Sequence, residues 1–129
     1  MIKKLNPSTI LAPVSNYANG TLVEPGLRWV YTSGQVGITK DGKCPEDFES
    51  QFAIAMDNIL EILKEGDMGP EDIVKITMYM VDRADLGAAR RIRDSKLNDV
   101  PVASTLIFVS GFVMPELKVE VECVAAKKA

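Results

Sequence analysis

The chain has 129 residues, with 15 basic and 18 acidic side chains, a formal net charge of -3 and no histidine. This length predicts a single domain, residues 1–129, whose stability would gain from assembly into an oligomer. The acidic balance disfavours nucleic acid or an anionic membrane surface as a partner and favours a small metabolite. Without histidine, Ser–His and Cys–His nucleophile pairs and histidine zinc sites are excluded, so any chemistry must use other side chains, backbone groups and water.

The start of the chain and its cysteines indicate a cytoplasmic protein. No apolar run approaches the length of a membrane span, and Asn6-Pro7 stands where a secretion signal would continue with apolar residues. Cys44 and Cys123 are too few for a disulfide framework, so we expect two free thiols. Cys44 precedes a predicted helix start, which leaves a reactive thiolate open as an alternative.

The first third of the chain predicts short strands joined by turns. Residues 2–5 are expected to form a strand, and the segment up to Gly20 an ordered arm. Strand patterns at 21–23 and 27–32 flank Glu24-Pro25-Gly26, so we expect those two strands to form a hairpin. A further strand at 36–39 leads into an Asp-Gly turn.

Within this region, residues 28–37 combine a β-branched and aromatic run with a Ser-Gly-Gln sequence. The run favours a pleated, buried strand. Gly34 and Gly37 permit a bulge or the close approach of another group to the main chain. Two interpretations are open, a central strand with a bulged neighbour and a ligand-binding loop. The residues of this stretch alone favour the first.

The middle of the chain predicts a helix followed by a strand. Apolar side chains at helical spacing predict a helix from Pro45 to about Lys64, ended by Gly66. Its packing face is formed by Phe48, Phe52, Ala55, Met56, Ile59, Ile62 and Leu63. Residues 73–81 then alternate apolar and polar side chains, which predicts a strand with two unlike faces.

A second helix is predicted from Asp85 to about Leu97, with Asp85 near its start. Its packing set is Leu86, Ala89, Ile92 and Leu97. Basic side chains crowd this short element, at positions Arg83, Arg90, Arg91, Arg93 and Lys96. A solvated helix with a basic C-terminal end explains them, and an anion-binding site is the alternative.

Strand patterns at 100–109 and 117–124 complete an order of strands, helix, strand, helix and strands. This order predicts an α+β fold in which both helices cover one face of a mixed sheet. The other face carries Lys75, Thr77, Glu120 and Glu122 among enough apolar residues that full solvation would be wasteful. Packing against identical faces of other copies would cover it.

Five segments in this order and spacing resemble a known family, the reactive-intermediate deaminases called RidA or YjgF, also named endoribonuclease L-PSP. They are VYTSGQVG at 30–37, DGK at 41–43, QFAIAMDNILEIL at 51–63, EDIVKITMYMVD at 71–82 and VEVECVAA at 119–126. The resemblance implies a chorismate-mutase-like fold assembled as a homotrimer, with sheets lining a central barrel and ligand clefts between subunits. It also implies hydrolysis of enamine or imine intermediates to 2-oxo acids without metal or cofactor.

The chain departs from the family at its substrate-binding positions. In deaminating members a Pro-x-Arg-Ser segment supplies an arginine that binds the substrate carboxylate, but residues 101–104 here are Pro-Val-Ala-Ser, so Ala103 stands in that place. The family's Gly-Pro-Tyr is replaced by Ala-Pro-Val at 12–14, with Tyr17 close by, and the asparagine of the second helix aligns with Arg90. The connector from Ser104 to Pro115 is also longer than usual.

Glu120 is the catalytic residue that the resemblance implies, for holding or activating water; a structural, hydrogen-bonded carboxylate facing the barrel is the equal alternative. The substrate-binding residues carried over are Tyr17, Ser33, Gly34, Arg90, Ala103, Ser104 and Thr105. Either Ala103 leaves the carboxylate position vacant or Arg90 has taken it over, and we expect the vacant position.

Two functions are compatible with these residues. The first is a deaminase of altered specificity, and the second is a non-catalytic trimeric protein that binds small acids or acts like a chaperone. A ribonuclease is the least favoured, because the chain lacks histidine and is negatively charged.

Overall fold

The computed structural model describes residues 2–129 and consists of seven strands and two α-helices. In chain order they are β1 (Ile2–Leu5), β2 (Gly20–Val23), β3 (Leu27–Tyr31), β4 (Gln35–Val36), α1 (Phe48–Glu65), β5 (Ile73–Met80), α2 (Leu86–Lys96), β6 (Ala103–Phe108) and β7 (Val119–Lys128). Short 3-10 turns at Pro70–Asp72 and Arg83–Asp85 precede β5 and α2. The predicted α+β class, with two helices and a mixed sheet, is confirmed.

The main sheet has the strand order β3-β7-β5-β6, and β4 pairs with β7 beside β3. Only the β5–β6 pair is parallel, as the helical crossover between these two strands requires. The predicted hairpin between residues 21–23 and 27–32 is wrong. β2 pairs with β1 in a separate two-stranded sheet, whereas β3 pairs with β7. The turn itself is present, since Gly26 adopts a φ of 82° that favours glycine.

Helix α1 begins three residues later than predicted because Asp47 caps it. The Asp47 carboxylate accepts a hydrogen bond from the Ser50 N–H at 2.9 Å, which satisfies one of the free donors of the first turn. The helix ends at Gly66, as predicted. Its buried face packs on the sheet and on α2, so one apolar core joins the two helices to one face of the sheet.

The alternation predicted for β5 holds over most of its length. Ile76, Met78 and Met80 are fully buried against the helices, while the intervening polar residues are half-buried on the other face. A register shift between Ile73 and Lys75 against β7 changes the pattern at the start, so that Ile73 is buried and Val74 is not.

The fourth strand is shorter than predicted because the chain passes directly against α1. A Cβ added to Gly37 would lie 2.4 Å from the Cα of Gln51. The buried Gln51 amide bonds the neighbouring segments: its Nε2 donates to the carbonyls of Pro45 (2.8 Å) and Glu116 (3.0 Å), and its Oε1 accepts from Lys118 N–H (2.8 Å). These bonds fix the loop before β7 to the helix.

Both cysteines are free thiols, as predicted. Cys123 lies in β7 on the helix side, and burial raises its pKa to about 12. Cys44 is half-buried, and its thiol lies 3.6 Å from the Pro45 carbonyl. No helix within residues 2–129 is long and apolar enough to cross a membrane.

Candidate functional site

Glu120 and Gly34 are in close contact. Glu120 lies in β7 opposite Val36 of β4, and its side chain extends over Gly34 in the connection between β3 and β4. A Cβ at position 34 would be 2.2 Å from the Glu120 Oε2 and 3.0 Å from its Cγ. The carboxylate can occupy this position only because residue 34 has no side chain.

The connection between β3 and β4 leaves hydrogen-bond donors available beside that carboxylate. Thr32 continues the pairing with β7 through its N–H to the Cys123 carbonyl (2.9 Å) and its Oγ1 to the Cys123 N–H (3.0 Å). The pairing stops there, and Ser33 and Gly34 are exposed. Within residues 2–129 the N–H groups of Ser33 and Gly34 donate to no protein acceptor. The site therefore combines a carboxylate with two free backbone donors.

Glu120 lines a cavity of about 340 Å³ together with Tyr79, Glu122 and Phe112. The Tyr79 hydroxyl donates a hydrogen bond to Glu122, and this bond, with burial and the two carboxylates, raises the pKa of Tyr79. Glu120 makes no hydrogen bond or ion pair with any residue in the described part of the chain. Its carboxylate is thus free to hold a water molecule in the cavity.

Tyr17, Arg90 and Ser104 come together elsewhere, around a second cavity of about 320 Å³. This cavity lies between the N-terminal arm, α2 and β6. The Tyr17 hydroxyl accepts a hydrogen bond from the Val14 N–H at 3.4 Å, and Arg90 is exposed. The two cavities share no residue, so one chain does not bring Arg90 to Glu120.

Arg93 also lines this second cavity, although the sequence analysis did not single it out from the other basic residues around α2. It is only 4% exposed, and it bonds Asp94 at 3.0 Å and the hydroxyl of Ser15 in the arm at 3.2 Å. Its spacing carried a signal, because Arg93 follows Leu86 by seven residues and Ala89 by four, which places it on the packing face of the helix.

Ala103 and Thr105 face the opposite side of β6 from Ser104, since side chains alternate along a strand. Ala103 pairs with Lys75 of β5 and is bridged on its other side by Ala18 of the arm, so that it is buried. The Thr105 hydroxyl accepts a hydrogen bond from the Lys75 ammonium at 2.6 Å. The position of the family's arginine therefore adjoins a lysine.

Metal ligation has no candidate here, since residues 2–129 hold no group of three or more Cys, Asp or Glu side chains that could bind an ion. The chemistry that the first cavity offers is that of a carboxylate and backbone donors. A carboxylate can take a proton from water, and paired N–H groups can stabilise a developing negative charge.

Comparison with other proteins places the chain in a family. A family model described as endoribonuclease L-PSP matches residues 8–127. A RutC family protein of Aquifex aeolicus (strain VF5) is 32% identical over 117 residues, covering 89% of this chain and 91% of that protein. YyfB from Yersinia pestis, described as a protein of unknown function of the conserved Rid protein family, has a crystal structure that matches with a TM-score of 0.87 at 25% identity, covering 98% of both chains.

A more distant structure supports the same fold. RidA from an Antarctic Psychrobacter species matches with a TM-score of 0.72 at 21% identity, covering 97% of this chain and 99% of that one. The match to the family model spans nearly the whole chain, and the motifs at 30–37 and 119–126 carry the contact between Gly34 and Glu120. The chain belongs to the endoribonuclease L-PSP family, which is the RidA/YjgF family that its motifs resemble.

Proposed function

We propose that the protein is a RidA-like hydrolase that deaminates reactive imines and has an altered substrate range. Water adds to the imine carbon while Glu120 takes one of its protons and passes it to the nitrogen. The resulting hydroxyl group then gives up its proton to the nitrogen as the carbon–nitrogen bond breaks, so that ammonia leaves and a 2-oxo compound remains. The N–H groups of Ser33 and Gly34 orient the substrate and stabilise charge that develops on it. The observation that carries this proposal is the contact of the unpaired Glu120 carboxylate with Gly34.

The proposal includes assembly as a homotrimer with clefts between subunits. The sheet face opposite the helices exposes a stacked pair, Trp29 and Tyr31, whose ring centroids lie 6.1 Å apart, and Ile107 at the other edge. Such a face favours burial against another copy. Within one chain the cavity lined by Arg90 is separate from Glu120, and a second copy could bring its own such cavity next to that Glu120. Sedimentation equilibrium tests this, and a monomer mass at micromolar concentration would contradict it.

Replacing Glu120 tests the chemistry. We expect Glu120→Ala to abolish imine turnover and to leave the assembly intact, as measured by 2-oxo acid release and by sedimentation. Glu122→Gln is the matched control two residues along the same strand face, since its amide oxygen can still accept the Tyr79 hydrogen bond. Turnover that survives in Glu120→Ala would return Glu120 to a structural role.

The alanine at position 103 limits activity toward small imino acids. A desolvated arginine–carboxylate bond is worth on the order of 2–4 kcal/mol, so its loss should lower kcat/KM roughly a hundredfold or more. We expect slow turnover of 2-iminobutanoate beside an arginine-bearing relative. Ala103→Arg should restore part of the activity, and only part, because the Lys75 ammonium already stands beside that position. Equal rates for the wild type and the relative would contradict the argument.

A non-catalytic binder of small acids, or a chaperone-like protein, is the second candidate, and Ala103 is the observation that favours it. Binding of 2-oxo acids without turnover of any imine would support it. In either case we place the function in the cytoplasm, on a small carboxylate or imine metabolite. The chain has 18 acidic and 15 basic residues, and its net negative charge disfavours a nucleic acid as the substrate.

A further inference from the structure

We propose that the cavity between the N-terminal arm, α2 and β6 binds the carboxylate of a 2-oxo or 2-imino acid whose own side chain is branched or aromatic, with Arg90 as the residue that determines specificity. This inference rests on the proposed function in treating that acid as product or substrate. The affinity of the cavity for such an acid does not depend on turnover.

The charge of Arg90 is available, unlike that of its neighbours on α2. Arg91 forms an ion pair with Glu49 at 2.7 Å, Arg93 with Asp94 at 3.0 Å, and Lys96 with Asp57 at 2.8 Å. Arg90 has no acidic partner within the described residues. It is therefore the basic side chain of α2 whose charge no protein carboxylate neutralises, and it stands at the rim of a cavity.

The hydroxyl groups of the cavity complete a carboxylate site. Tyr17 accepts the Val14 N–H, so its own O–H remains able to donate. Ser104 presents a second hydroxyl from β6, and the buried Arg93, held by Ser15 and Asp94, also lines the cavity. A guanidinium flanked by hydroxyl donors matches the geometry of a carboxylate.

The remaining walls set the size and polarity of the ligand. Leu86, Leu106 and Phe108 line the same cavity, whose volume of about 320 Å³ falls at the lower end of small-molecule sites. A carboxylate with a methyl or ethyl group would leave most of this apolar surface in contact with water. A branched or aromatic group would cover it, at a gain of about 0.8 kcal/mol for each buried methylene.

Arg90 does not simply replace the arginine missing at position 103. Ser104 faces the cavity, and Ala103 projects from the opposite side of the same strand, toward Lys75. The carboxylate is thus bound from the helix side of β6. Moving the positive charge that binds the carboxylate to this side of the strand changes which acids fit the site. It would explain why this chain retains Glu120 and Gly34 although Ala103 replaces the arginine.

Calorimetric titration with two acids tests the inference. The wild-type protein should bind 4-methyl-2-oxopentanoate about tenfold more tightly than 2-oxobutanoate, since it has two more carbon atoms to bury. Arg90→Ala should weaken binding of the larger acid roughly ten- to a hundredfold. Arg91→Ala, which removes the same charge one residue along the helix and breaks only an exposed ion pair, should leave the Kd within about twofold.

Three results would overturn the inference: equal affinity for the two acids, an unchanged Kd in Arg90→Ala, or an equal loss in Arg91→Ala. Glu120→Gln separates this test from that of the proposed function, because it should abolish turnover and retain binding. Arg90-dependent binding without imine turnover in the wild type would uphold the site and refute the catalytic proposal. Imine turnover in the wild type, together with a Kd that is unchanged in Arg90→Ala, would uphold the catalytic proposal and refute the binding site.

Discussion

A single methyl group added at position 34 should separate catalysis from stability. In Gly34→Ala the new Cβ would lie 2.2 Å from the Glu120 Oε2, 2.7 Å from its Cδ and 3.0 Å from its Cγ. All three contacts are with one flexible side chain, and the φ of Gly34 is not in the left-handed region, so alanine fits the backbone. The carboxylate must therefore move away while the main chain stays in place.

The size of both effects follows from that displacement. An ordinary carbon–oxygen contact requires the carboxylate to retreat by roughly 1 Å, and a misplacement of this size costs about a hundredfold in rate. Rotation of an unpaired, half-buried side chain costs only about 1 kcal/mol of unfolding free energy. Gly37→Ala is the contrasting variant, because its Cβ would lie 2.4 Å from the Cα of Gln51 in α1. It should lose about 3 kcal/mol or more.

The assay follows 2-oxo acid release from an imine generated in place by an amino acid oxidase, at one protein concentration for all variants. Urea unfolding at the same concentration gives the stability, since assembly contributes to it. We expect Gly34→Ala to be folded and nearly inactive. Full turnover in that variant would refute the assignment of Glu120, because the methyl group excludes its carboxylate from the position that the proposed reaction requires.

Three further predictions concern stability and reactivity. Gly87→Ala should raise the unfolding free energy by about 0.5 kcal/mol in urea, since its Cβ would meet nothing within 4 Å in the first turn of α2. Gln51→Leu should lower it by roughly 3 kcal/mol, because three partly buried backbone groups lose their partners; a loss below about 1 kcal/mol would contradict this. At pH 8, Ellman's reagent should titrate Cys44 and leave Cys123 unreacted until denaturant is added, because a thiol with a pKa of about 12 has little thiolate.

The elements of the fold were predictable where the signal is local. The period of α1, the two faces of β5 and the glycine turns follow from side chains within one segment. Strand pairing is not local. The turn at Gly26 reverses the chain, but the partner of β3 is β7, a strand about a hundred residues later. That pairing also extends β7 to Lys128, four residues past its predicted end, because β3 supplies the partner groups for Ala125–Lys128.

The residues of the candidate site were named from the family motifs, but their grouping in space was not predictable from the sequence. The family motifs identify Gly34 and Glu120, and the structure brings these two into contact. They could not indicate that Tyr17, Arg90 and Ser104 line a different cavity, since this depends on how the arm packs against α2. The sequence likewise could not show which basic side chains around α2 form ion pairs. Arg91, Arg93 and Lys96 form ion pairs. Arg83 and Arg90 form none within residues 2–129, and the Arg83 guanidinium lies over the Phe108 ring, which leaves Arg90 as the unpaired charge on the helix itself.

Glu120 and Glu122 provide the strongest argument for chemistry at this site. Both carboxylates lie on the same face of β7, are half-buried and line the same cavity. A structural role for Glu120 would have it hydrogen-bonded to a neighbour, and Tyr79 lies directly opposite it in β5. Yet the Tyr79 hydroxyl bonds to Glu122 instead, and the Glu120 carboxylate is left over Gly34. Because Tyr79 holds Glu122, the Glu120 carboxylate is left free, as its proposed action on water requires.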